Sequence, residues 1–295
     1  MFRICLIPCV LLAALASGPA AALEVVATTE SMGAVVRAVA PEGVGLTVLA
    51  APDRDVHTLR AKPSMMRALR GADLVVANGA ELEAGWLPPA ISGAANPRIQ
   101  PGQPGYVEAA AQVRLLDAGG PADRALGDVH PTGNPHVTMD PMRMATIGEA
   151  LAERLATLDP AGASRYRANA QGFREAVEQR MPGWQERLGG APGVVLYHRD
   201  AIYLLERFQV PLLATIEEIP GVPPGGQRLR TLVSDLQGRA GVIVYAPYQS
   251  PKAPRKLASD LGWRAVELGL EPPSGADGAG YLSHIGRWVD ALAVP

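Results

Sequence analysis

The residues of this 295-residue chain best suited to chemistry are its five histidines: His57, His130, His136, His198 and His284. Imidazole titrates near neutral pH and binds borderline metal ions through either ring nitrogen, so grouped histidines imply proton transfer or metal binding. The two cysteines, Cys5 and Cys9, both fall in the first ten residues. Three histidines share a setting. His57 follows an apolar run, Leu46 to Leu49, through Pro52-Asp53-Arg54-Asp55-Val56. His136 closes Gly133-Asn134-Pro135-His136 just ahead of Asp140-Pro141, and His198 ends the run Val194 to Tyr197. Ligands of open parallel sheets collect beyond the carboxyl ends of strands, so these three can face one cleft. Each alone has a plainer role open to it: His57 as a surface residue, His136 as a turn former, His198 as a core imidazole bonded to a carbonyl. His284, between Ser283 and Ile285 in the last helical stretch, reads as a surface position. His130 reads as loop surface or, with Asp128, as a residue that hands a metal on.

The elements that must position these groups alternate between short β-branched runs and helical stretches. Glu24 to Thr28, Leu46 to Leu49, Leu74 to Ala77, Val194 to Tyr197, Leu212 to Ile216, Val242 to Tyr245 and Ala265 to Leu268 read as strands. Between them lie helical stretches at Ser31 to Ala40, Met65 to Arg70 with Ser64 as its cap, Asp200 to Phe208, Gln227 to Gln237 and Ala253 to Leu261, and Tyr281 to Leu292 closes the chain. Such alternation predicts parallel sheets covered by helices. From Gln100 to Gly133 the chain is rich in Gly, Pro, Ala and Asp; Val113 to Leu116 reads as its strand and 117–133 as an exposed, mobile loop.

Two longer helices follow, each opened by Asp-Pro, a capping carboxylate before a proline suited to the first turn. The first carries Met144, Ile147, Leu151, Leu155 and Leu158 on one stripe, and the second runs from Pro160 to Leu188 with a kink expected at Pro182-Gly183. The second would be about 43 Å long, enough to join two lobes. The fold class is α/β: two α/β lobes with parallel sheets on a long rigid helix. The lobes span 23–158 and 190–295, and the linker helix spans 159–189.

Met1 to Ala22 has the form of a secretory signal peptide: one positive charge at Arg3, an apolar run from Ile4 to Ala16 and small residues before the cleavage point. Cleavage after Ala22 leaves 273 residues (295 less 22) and no cysteine. Any metal site must then use imidazole, carboxylate, backbone carbonyl or water. With 27 basic and 29 acidic residues, net charge −2, the chain carries no excess of basic charge suited to nucleic acid.

The motifs resemble those of substrate-binding proteins of metal-specific ABC transporters, the zinc-binding branch in particular, over essentially the whole mature chain. Asp55-Val56-His57-Thr58-Leu59 with Pro63-Ser64 resembles the family's Asp-Pro-His segment, with Val56 in place of proline. Ala72 to Gly79 with Leu82-Glu83 and Trp86 resembles the stretch after it. Gly133-Asn134-Pro135-His136-Val137-Thr138-Met139-Asp140-Pro141 is the most specific match, with Thr138 at a commonly aromatic position. Tyr197-His198, Glu218-Ile219-Pro220 and Gln227-Arg228-Leu229 match the second half.

The resemblance implies a periplasmic protein that holds Zn2+ between its lobes through His57, His136 and His198 and delivers it to an inner-membrane permease. It implies a monomer, with a periplasmic metallochaperone as a candidate source of metal. The family's fourth ligand, an aspartate, falls here on Gly269, which leaves water, Glu217, Glu271 or Asp277. Manganese is disfavoured, because its binders tend to carry glutamate where His198 stands; Cu2+ and Ni2+ are expected to bind in vitro. The rival class is a secreted zinc hydrolase with a three-histidine and water site. Against it, the chain has no His-Glu-x-x-His pair and no Gly-x-Ser-x-Gly elbow. Arg199, beside His198, reads as a solvated charge, though it could serve such an enzyme by stabilising an anion. A surface adhesin or metal sensor on the same fold is the third reading.

Overall fold

The structure is a computed structural model that describes residues 22–119, 127 and 129–293. Its first sheet comprises β1 (Leu23–Ala27), β2 (Val44–Val48), β3 (Leu74–Ala77) and β4 (Tyr106–Glu108), all parallel, in the order β2-β1-β3-β4. The second comprises β5 (Val194–Leu196), β6 (Leu212–Thr215), β7 (Val242–Tyr245) and β8 (Arg264–Glu267), in the order β6-β5-β7-β8. The two lobes therefore repeat one topology. Strands covered by helices on both faces need apolar residues throughout, and Leu74, Val75, Val76 and Ala77 are all buried.

Helices α1 (Glu30–Val39), α2 (Pro63–Gly71) and α3 (Leu87–Ala94) belong to the first half of the chain. Two long helices follow as a spine: α4 (Pro141–Leu158) and α5 (Ala163–Leu188). The second half adds α6 (Ile202–Phe208), α7 (Gly226–Leu236), α8 (Lys252–Leu261) and α9 (Gly278–Leu292). In α4 the residues Met144, Ile147, Leu151 and Leu155 are buried, and α5 buries Tyr166, Ala170, Phe173, Val177, Trp184 and Leu188. α9 crosses back to the first lobe. Tyr281 Oη donates to Thr138 O (2.7 Å) and its ring lies 6.1 Å from that of Phe173.

One apolar cluster runs from Val25 and Val76 of the first sheet through α4, α5 and α9 to Leu196 and Val244 of the second. The outer faces have their own clusters, Leu69, Val75 and Trp86 in one lobe and Val195, Leu232 and Leu257 in the other. Because the central core belongs to both lobes, any large rotation between them would expose it. A polar seam adds to this. Asp140 is fully buried, caps α4 through Met142 N (2.9 Å), and accepts from Arg143 of its own helix and from Arg207 of α6 in the other lobe.

Several local expectations need correcting. Val113 to Leu116 is not a strand; β4 lies earlier, at Tyr106–Glu108. A 3-10 turn at Ala110–Gln112 takes the chain off the sheet edge, and the backbone of Leu116 bonds instead to Tyr203 Oη and Asn134 N. Ser64 does not cap α2: Pro63 occupies the first turn, and the capping residue, Lys62, makes no side-chain bond. Asp159 likewise caps nothing. It accepts from Tyr166 Oη (2.7 Å), and a 3-10 turn at Pro160–Gly162 precedes α5, which continues past Pro182 to Leu188. The expected targeting segment falls, but for Ala22, outside the described residues. Among the described residues no helix is long and apolar enough to cross a membrane.

Candidate metal centre

Three segments carry the site, and each is held by its own set of hydrogen bonds, most of them from distant parts of the chain. Asp55 opens a 3-10 turn at Val56–Thr58 by accepting from His57 N (3.0 Å), and Trp86 Nε1 donates to Val56 O (2.9 Å) from behind. The turn before α4 is held from β3. The buried Glu83 carboxylate accepts from Thr28 Oγ1 (2.6 Å), Asn78 N (2.7 Å) and Gly79 N (3.1 Å), and Asn78 Nδ2 then donates to Pro135 O (2.7 Å), next to His136. Burial raises the Glu83 carboxyl above its usual range, and those donors oppose the shift. His198 follows β5 directly. Asn134 ties its segment to that of His136, with Nδ2 donating to Arg199 O (2.7 Å), Oδ1 accepting from His136 N (3.0 Å) and the carbonyl accepting from Tyr203 Oη (2.5 Å).

These supports bring His57, His136 and His198 together: one ligand atom from each lies within 4.8 Å of the others. Ring centres are separated by 5.2 Å (His57 to His136), 5.8 Å (His57 to His198) and 5.7 Å (His136 to His198). The Nε2 atoms of His57 and His136 are buried with no hydrogen-bond partner among the described residues. Buried polar atoms are almost always satisfied, so an unbonded pair aimed at one point suits an electron-pair acceptor such as a metal ion.

The far nitrogens are fixed by carboxylates. His57 Nδ1 lies 3.0 Å from Asp55 Oδ1, and His198 Nδ1 lies 3.1 Å from Glu217 Oε2. An ionised carboxylate only accepts, so Nδ1 carries the proton in both rings, which leaves the Nε2 of His57 as a lone-pair donor to the site. Burial alone would raise the Asp55 carboxyl, but its bonds and proximity to His57 outweigh this and hold it below its ordinary value. Burial, with His57, His198 and His130 as neighbours, pushes His136 well below the usual imidazole range. A neutral imidazole is the form that binds metal.

The carboxylates considered for a fourth ligand are engaged elsewhere. Glu217 accepts from His198 and from Gly221 N (3.0 Å), Glu271 from Ser31 N (2.6 Å), and Asp277 caps α9 through Gly280 N (2.8 Å). Gly269 has space around its Cα but no donor side chain. His130 lies beside the site, its ring centre 5.3 Å from that of His57, rather than on an exposed loop surface; Asp128 is outside the described residues. Arg199 is an exposed charge, as expected, and it pairs at the surface with Asp117 (2.8 Å). His284 is corrected too. It is 2% exposed, its Nε2 faces Leu270 O (3.0 Å), and burial pushes its pKa down to about 4. Asp55 and Glu217 are the functional residues that sequence reasoning missed in this role. Asp55 was visible two residues before His57, whereas Glu217 is brought to His198 only by the pairing of β5 with β6.

Fold and cleft together define a class: the two-lobed, metal-binding solute-binding proteins. Residues 25–294 match the family described as "ZnuA: Zinc-uptake complex component A periplasmic", and the chain belongs to that family, a periplasmic metal-binding solute-binding protein of zinc-uptake type. A relative, the high-affinity zinc uptake system protein ZnuA of Yersinia pestis, is 25% identical over 244 residues, covering 78% of this chain and 76% of its own. A crystal structure of ZnuA superposes with a TM-score of 0.77 at 19% identity, over 92% of this chain and 100% of that one. The solute-binding protein FpvC of Pseudomonas aeruginosa, solved in complex with Mn2+, superposes with a TM-score of 0.78 at 22% identity, over 92% and 97% of the two chains. FpvC has also been solved with a Ni2+ ion.

Proposed function

We propose that His57, His136 and His198 hold one Zn2+ ion between the lobes through their Nε2 atoms, and that the loaded protein delivers it to the permease of an ABC-type uptake system. The observation that carries this reading is the convergence of three imidazoles whose ligand atoms lie within 4.8 Å of one another. Zinc suits the donors: it takes imidazole at about 2.0–2.1 Å in tetrahedral geometry, whereas manganese favours carboxylate oxygen. Cu2+ and Ni2+ share the preference for nitrogen, so selection for zinc rests partly on which metal the periplasm supplies. A cleaved signal peptide over residues 1–22 delivers the chain there, and it works as a monomer.

The protein acts as a binder rather than as a hydrolase. Asp55 and Glu217, beside the site, are bonded to the ligand imidazoles and so are set to orient them rather than to act as a general base. Titration with zinc against a competing chelator tests the reading. One equivalent should bind, and His198→Ala should keep the fold while weakening binding strongly. Unchanged affinity in that variant, or robust turnover of ester or phosphate substrates, would reject it.

A further inference from the structure

We infer that the first lobe carries a second ligand site, for a small organic cation with an apolar body, in a cavity beside the turn at residues 79–84. The inference goes beyond the metal reading and does not depend on it. The cavity measures about 700 Å3. Small-molecule sites are commonly of this size, mostly apolar and furnished with a few placed polar groups. Leu87 and Ile91 of α3, with Ala110, supply the apolar wall, and Tyr106 and Glu108 of β4 lie on another side. The charged groups are all carboxylates. Glu81 is exposed, and Glu108, half-buried, accepts from Tyr106 Oη at 3.2 Å. Neither pairs with a cation among the described residues, and no Lys, Arg or His lines the cavity. Charge complementarity therefore selects a cation. A hydrated metal ion would leave the apolar wall uncovered, so the positive charge belongs on an organic molecule that covers Leu87 and Ile91.

The site is built before any ligand arrives. Ala80 and Glu81 take left-handed backbone, with φ of 48° and 66°, a conformation that side chains disfavour. The buried Glu83 carboxylate holds this turn by accepting from Asn78 N (2.7 Å) and Gly79 N (3.1 Å). Glu108 packs over the same turn, where a Cβ on Gly79 would come within 2.9 Å of its own Cβ. Its carboxylate is thus fixed from two sides, by Gly79 and by Tyr106, which reduces the ordering cost of binding. Glu81 and Ala84 also line the smaller cavity beside His57, so one turn forms a wall of both. The volume is far more than a single lysine or arginine side chain fills. A free molecule, rather than the basic side chain of a partner protein, is the occupant that fits.

Titration of the full-length mature protein with tryptamine, followed by backbone amide chemical shifts, tests this. Saturable shifts should map to Gly79, Ala84, Ile91 and Ala110. Tryptophol, the same indole with a hydroxyl in place of the ammonium group, should bind the wild type about tenfold more weakly, because it lacks the charge-assisted contact. Tryptamine should lose about the same factor on Glu108→Gln, which keeps the shape of the wall and removes its charge. Equal affinity of the wild type for the two probes would overturn the inference, as would tryptamine affinity unchanged in Glu108→Gln or shifts confined to other parts of the chain. Tighter binding of a short lysine-containing peptide than of tryptamine at the same residues would also overturn it, by assigning the cavity to a partner protein. The comparison of probes on the wild type requires no variant to fold, and none of these results bears on the metal reading.

Discussion

Removing the carboxylate behind His198 should weaken zinc binding while leaving the fold intact. Glu217 Oε2 accepts from His198 Nδ1 at 3.1 Å and from Gly221 N at 3.0 Å, so it orients the ring and raises the basicity of the opposite nitrogen. Loss of such a partner typically costs about 10- to 100-fold in metal affinity, which corresponds to about 1.4–2.8 kcal/mol. Glu217→Ala removes both charge and acceptor and should show the full loss. Glu217→Gln retains an acceptor oxygen without the charge and should show a smaller one. The cost to the metal-free fold is that of one hydrogen-bonding group, about 1 kcal/mol, because Glu217 acts on the site and not on the shared core. Competition with a chromophoric chelator at pH 7.5, with urea unfolding of the metal-free protein as control, separates the two effects. Zinc affinity within twofold of wild type in both variants would refute the role assigned to the carboxylate.

Other expectations follow from the same contacts. Asp55→Ala should match Glu217→Ala in affinity loss, since Asp55 holds both the backbone and the ring of His57; a loss below about threefold would count against it. Zinc at a thousandfold excess over its dissociation constant should stabilise the protein by about 4 kcal/mol. Calorimetry should show that gain shrinking below about pH 6.5, where protons compete for imidazole; an equal gain at pH 5 and 7.5 would contradict the site. His284 stays neutral in the fold down to about pH 4, whereas in the unfolded chain it takes up a proton near the ordinary value of 6.5. Folded stability is therefore lost as pH falls through that window, by about 3 kcal/mol in all. His284→Gln should flatten the acid side of the metal-free stability curve, and an unchanged slope would show that the burial argument fails. Asp140→Ala should cost about 3 kcal/mol in urea unfolding, because it uncaps α4 and strands Arg143 and Arg207; Arg207 is 35% exposed, which keeps the cost at the low end for a buried pair. A loss under 1 kcal/mol would show that the seam contributes little.

The sheets and the spine were legible because their signals are local. Runs such as Val194-Val195-Leu196 and Val242-Ile243-Val244 alternate with helical periodicity, and that alternation admits few arrangements besides parallel sheets. Val113 to Leu116 carries the same apolar signal but packs against the core without a ladder partner, and only tertiary bonds to Tyr203 and Asn134 decide between the two. His284 was misread from its polarity. It lies three residues after Tyr281 and four before Trp288, on the buried stripe of α9, where the carbonyl of Leu270 satisfies its ring. Asp159 and Ser64 carry cap chemistry in sequence, but Tyr166 claims the first and Pro63 displaces the second. The three candidate ligands were visible from their places after strands and before the Asp140 cap. The residues that orient them were not: Glu217 lies 19 positions from His198, and Glu83 acts on His136 through Asn78 and Pro135.

The central claim is that one zinc ion joins the lobes through His57, His136 and His198. An anomalous difference map collected at the zinc edge from crystals of the loaded protein tests it most directly. A single strong peak about 2.0–2.1 Å from the Nε2 atoms of all three is the expected result. A principal peak elsewhere on the chain, or one that touches ligands of only one lobe, would contradict the account.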